Sequence, residues 1–93
     1  MNRKKLTIAR KKIDKLDKKI FNLIKKRTFV VKQMLRLKNK KSQIVDKKRI
    51  NEIMKKIKYE SIKNNIDPRI TSKIWKSMIW SYIKYQKINF KKR

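Results

Sequence analysis

Ninety-three residues make one small domain, 1–93, whose lone core would be marginal, so oligomerisation is expected. The chain has no Cys, His or Gly, which excludes disulfides, thiolate nucleophiles, histidine bases and ligands, and glycine phosphate loops. Lys and Arg number 32 against 6 Asp and Glu, a net charge of +26 that calls for anionic partners.

The start, MNRKKLTIARKK, is basic but lacks the apolar run of a signal peptide. No stretch approaches the roughly 20 apolar residues of a membrane span. These features predict a cytoplasmic, soluble protein with no membrane partner.

From Leu6 to Lys38 apolar residues recur at Leu6, Ile13, Leu16, Ile20, Leu23/Ile24, Val30/Val31, Met34 and Leu37. That spacing predicts a first helix over about 4–40. A long helix with an apolar stripe is not stable alone in water, so a second copy of the chain is the expected cover. The stretch 39–43, NKKSQ, breaks the periodicity and reads as a short loop. Asp46 is the expected N-cap of a second helix over 47 to about 63, with Ile50, Ile53/Met54 and Ile57 as its stripe. Asn64-Asn65 ends it, because Asn tolerates the left-handed conformation. Asp67-Pro68 then supplies a cap and a first-turn proline for a third helix. That helix carries Ile70, Ile74/Trp75, Met78/Ile79, Tyr82/Ile83 and Gln86 before a basic tail, Lys91-Lys92-Arg93. No sustained alternation predicts a strand, so the expected class is all-α, with one long and two shorter helices.

The charge admits two readings. One is a basic nucleic-acid-binding protein. The other is drift towards A/T-rich codons. The chain is crowded with Lys, Ile and Asn, while Ala and Pro each occur once. Lys far outnumbers Arg, the better bidentate reader of phosphates and bases, and the lysines are spread over all segments. Drift is therefore the preferred reading, with sequence-independent polyanion binding as its by-product and no specific nucleic-acid partner.

Three cations, Arg10, Arg27 and Lys38, lie on or beside the first stripe. On an ideal helix Arg27 and Lys38 share a face about 16 Å apart and can bracket one small ligand. Arg10 is about 25 Å from Arg27 and about 100° round, so it can serve such a ligand only from a partner chain. Snorkelling of all three to solvent is the bland alternative. Trp75, Ile79, Tyr82 and Gln86 form one stripe of the third helix. Gln86 either faces water near the helix end or is a buried amide facing cations. Arg49 precedes Ile53 by one turn, and Asp46 is first of all a cap.

In order and spacing, Arg10-x2-Ile13-Asp14-x2-Asp17-x2-Ile20-x2-Leu23-Ile24-x2-Arg27, with Val31 and Lys38, resembles the first helix of the all-helical chorismate mutases. Val45-Asp46-x2-Arg49 is similar to the start of their second helix. Ile66-Asp67 and Ile83-x2-Gln86 are similar to parts of the third. The resemblance covers about residues 6–86. It implies an intertwined homodimer with two sites for a small dicarboxylate, each built from Arg27, Lys38, Arg49 and Gln86 of one chain and Arg10 of the other. It also implies rearrangement of chorismate to prephenate without cofactor or metal. Lys38 and Gln86 would be catalytic, donating to the ether oxygen, while Arg10, Arg27, Asp46, Arg49, Ile50 and Tyr82 would bind substrate.

Two positions depart from the mutase pattern. Ile50 stands where a Glu usually holds the substrate hydroxyl, and Tyr82 stands where Ser is usual. Both changes resemble the sister isochorismate-pyruvate lyases, which share the fold and form salicylate. Val31-Lys32-x3-Arg36-x-Lys38, Arg49-Ile50 and Tyr82-Ile83-x2-Gln86 also resemble that branch. The sequence therefore leaves three functions open: mutase, lyase, and a non-catalytic basic protein on the same scaffold.

Overall fold

A computed structural model describes residues 2–91. Lys92 and Arg93 of the expected tail lie outside the described residues. Three α-helices follow in order: α1 (Arg3–Leu37), α2 (Lys47–Lys63) and α3 (Pro68–Asn89), with a 3₁₀ turn at Lys41–Gln43 between the first two. Among the described residues there is no strand.

The caps explain the boundaries. Asn2 Oδ1 accepts from the main-chain N–H groups of Lys4 and Lys5 and so opens α1. Asp46 and Asp67 cap α2 and α3 as expected, accepting from the N–H groups of Arg49 and Arg69. The α2 terminus is a Schellman closure. Asn65 takes φ 59°, the Asn65 N–H reaches Ile62 O, and the Ile66 N–H reaches Ser61 O.

The first helix ends earlier than the periodicity predicts, at Leu37 rather than near residue 40. Lys38 is thus the first residue beyond α1, its N–H donating to Leu35 O in a tightened last turn. The cause is Gln43. Its Oε1 accepts from the N–H groups of both Asn39 and Lys40, drawing those donors away from a continuing helix. Ile44, the next residue, is buried and anchors the connection.

The chain divides into two compact units, Met1–Lys32 and Gln33–Arg93. The first is helical, and no residue of α1 is buried. Ile13, Leu16, Ile20, Leu23, Ile24 and Val30 are all exposed. In the second unit α2 packs on α3. Its core is Ile44, Ile79 and Ile83, with Leu35, Val45, Ile50, Ile53, Met54 and Phe90 packed around it. Ser61, on α2, is buried and hydrogen-bonds both Ile57 O and the Thr71 hydroxyl on α3. This hydroxyl pair ties the two helices together just above their turn.

Candidate active site

The second unit holds six of the eight predicted site residues: Lys38, Asp46, Arg49, Ile50, Tyr82 and Gln86. Two of them meet directly. Lys38 Nζ donates to Gln86 Oε1 at 2.7 Å. An ammonium has only donors, so the amide must turn its oxygen towards Lys38 and its NH₂ away from it. Gln86 is 7% exposed, so the alternative of a helix-end glutamine in water does not hold. It shares the inner face of α3 with the buried Ile79 and Ile83, which fix its position.

Lys38 is half-buried. Desolvation lowers its pKa below the usual lysine range, and the Asp46 carboxylate partly offsets this. Asp46 therefore has two roles: it caps α2 and it favours the charged form of Lys38. Only the first was expected from the sequence. With its oxygen turned towards Lys38, Gln86 directs its NH₂ the other way and can offer those N–H groups to a ligand. The ammonium has only N–H groups to give. The pair thus suits an acceptor oxygen.

Arg49 makes a 3.6 Å ion pair with Glu52, one turn on, and both side chains are exposed. Such a pair contributes little stability, so the guanidinium can exchange it for a ligand carboxylate without much loss. Ile50 is half-buried and packs against the Ile44–Ile79–Ile83 cluster. Tyr82 is half-buried one turn before Gln86. The remaining two residues lie in the first unit on α1, where Arg10 is exposed and Arg27 half-buried.

The sequence reading missed the side chain of Gln43, which places Lys38 by ending α1. The available signal was an amide side chain directly before the apolar pair Ile44-Val45.

The described residues thus form an all-helical protein in which a half-buried cation is joined to a buried amide. The comparison with known families makes this specific: the chorismate mutase type II family matches residues 9–87. The chain belongs to that family. No curated protein and no solved structure matched the sequence.

Proposed function

We propose that this chain is a chorismate mutase, converting chorismate to prephenate as an intertwined homodimer over one domain, 1–93. The observation that carries the reading is the 2.7 Å bond from Lys38 to the buried Gln86, in a chain of this family. The rearrangement is unimolecular. One C–O ether bond breaks, one C–C bond forms, and no proton is gained or lost. Such a reaction needs the compact conformer to be held and the negative charge growing on the ether oxygen to be stabilised. A fixed ammonium and a fixed amide NH₂ supply the second requirement. Arginines supply the first by clamping carboxylates bidentately. Arg27 and Arg49 would do so from one chain and Arg10 from its partner. Asp46 would keep Lys38 charged, while Ile50 and Tyr82 would line the pocket.

The small core supports the dimer. Only three apolar residues are buried among those described, and α1 has none. A chain of this length needs more buried surface to stay folded.

The runner-up is isochorismate-pyruvate lyase activity on the same scaffold, favoured by one observation. Ile50 belongs to the apolar packing, so that position offers no carboxylate to a substrate hydroxyl. Incubating the purified protein separately with chorismate and isochorismate decides between them. Prephenate from chorismate is the expected product. Salicylate with pyruvate from isochorismate alone would replace the mutase reading, and no turnover of either would remove both.

A further inference from the structure

Trp80 is 46% exposed, although its neighbour Ile79 is buried. Exposure of so large an aromatic is unusual. Its surroundings on α3 are more so. The positions one turn away on either side are Lys76 and Lys84, and those two turns away are Lys73 and Lys87. At 100° per residue all four lie within about 40° of Trp80 on the helix surface. All four are exposed. α3 contains no Asp or Glu, so none of them has an acidic partner on its own helix. The result is a straight cationic row, about 21 Å long, with one flat ring at its centre.

We infer that this row is a binding site for single-stranded nucleic acid, with phosphates against Lys73, Lys76, Lys84 and Lys87 and a base stacked on Trp80. Cations tracking a backbone, with an aromatic face for unpaired bases, are the two elements of sequence-independent single-strand recognition. A duplex keeps its bases stacked and has no free face for the ring. A membrane surface fits less well. An interfacial helix needs an aliphatic face to bury in lipid, and α3 uses its apolar face, Ile79 and Ile83, inside the protein. The site is independent of the catalytic reading, since Gln86 lies about 120° round the helix from Trp80.

The test is fluorescence anisotropy of the full-length protein with a labelled 12-nucleotide oligothymidylate, against a 12-base-pair duplex at the same ionic strength. Three variants are compared after circular dichroism shows them helical: Trp80→Leu, the pair Lys76→Gln/Lys84→Gln, and the pair Lys55→Gln/Lys56→Gln on the exposed surface of α2. The single strand should bind more tightly than the duplex. With four phosphate contacts, the slope of log affinity against log salt should be about −3. Loss of Lys76 and Lys84 should reduce that slope by about 1.4, and loss of Lys55 and Lys56 should leave it unchanged. Trp80→Leu should weaken single-strand binding on the order of tenfold, with little change in the salt slope. Equal losses from the two lysine pairs would mean a diffuse basic field and overturn the site. So would equal affinity for duplex, or an unaffected Trp80→Leu variant. Co-sedimentation with phosphatidylglycerol vesicles that requires Trp80, without oligonucleotide binding, would reassign the row to a lipid surface and overturn the proposal.

Discussion

Replacing Lys38 by alanine separates what this residue does for the fold from what it does for the reaction. In the fold it makes one charge-assisted hydrogen bond, at 2.7 Å, to an amide that is 7% exposed. Such a bond contributes about 1.5–3 kcal/mol when fully enclosed, and stranding its acceptor costs about 1–3 kcal/mol. Lys38 itself is only half-buried, so water can follow the lost side chain to Gln86 Oε1. The net loss of stability should therefore sit near the low end, about 1 kcal/mol. The effect on turnover should be larger. Removing a preorganised donor from a developing oxyanion costs about 3 kcal/mol, or roughly a hundredfold in kcat. KM should change less, because the ether oxygen carries little charge in the ground state. Lys40→Ala removes the same charge two residues on, from an exposed position, and should stay within about 0.5 kcal/mol of neutral. The assay is loss of chorismate absorbance under saturating substrate, with chemical denaturation of each variant. Equal losses of kcat in Lys38→Ala and Lys40→Ala would show that Lys38 acts only as part of a general positive field, and the active-site assignment would fall.

Two further predictions concern pH and assembly. Burial holds the Lys38 pKa below the ordinary lysine range and Asp46 partly restores it, so kcat/KM, which reports the free enzyme, should fall on the alkaline side before an ordinary lysine deprotonates, and Asp46→Asn should move that limb to lower pH. Between the lowered folded pKa and the ordinary unfolded one, the unfolded chain binds more protons, so this group's contribution to stability should rise with pH where activity falls; a kcat/KM that stays flat through the lysine range would show that the charge of Lys38 is not used. For assembly, sedimentation should find a dimer at micromolar concentration, and Leu16→Asp, exposed within a single chain, should abolish it. Arg10→Ala and Lys38→Ala, each inactive alone, should regain about a quarter of normal activity when refolded together, because half the dimers then carry one intact site; a folded wild-type monomer, or no recovery on mixing, contradicts the shared site.

Local signals in this sequence were legible wherever a few adjacent residues decide the backbone. Asp67-Pro68 and Asn64-Asn65 placed a helix start and a helix end because cap chemistry and the left-handed tolerance of Asn act within one turn. The apolar stripe of α3 through Ile79 and Ile83 followed from a period of 3.6, whereas periodicity left Gln86 open between water and the interior until the helix was packed. The end of α1 was not legible, because it depends on a side chain four residues further on: Gln43 competes for the N–H groups of Asn39 and Lys40. The Ser61–Thr71 pair was missed for a related reason. A buried hydroxyl looks the same in sequence as an exposed one until α2 and α3 are packed. Of the candidate site, Lys38 and Gln86 were singled out by helical spacing, and a catalytic role was attached to them through the family resemblance. Their contact, across 48 residues of chain, required the folded second unit. The lysines are spread over all segments of the chain, and those of α3 fall in a row around Trp80 only once that segment is taken as a helix.

A chain with net charge +26 attracts any dicarboxylate, so selectivity has to come from something other than charge. Most of its cations are exposed, and salt screens exposed charges over about 8 Å at physiological ionic strength. Lys38 differs in two physical respects. It is partly withdrawn from water, where each interaction with an anion is stronger and less screened. It is also held by a bond to a buried amide, so its charge is already in place before the ligand arrives. Exposed lysines must lose rotamer freedom on each contact, whereas this one has lost much of it in folding. On the proposed function, the diffuse field would concentrate anions near the protein and accelerate encounter, while Lys38 and Gln86 would decide which oxygen is held and where. Raising the salt should remove the first effect and largely spare the second. In kinetic terms, kcat/KM should fall with ionic strength while kcat remains nearly constant.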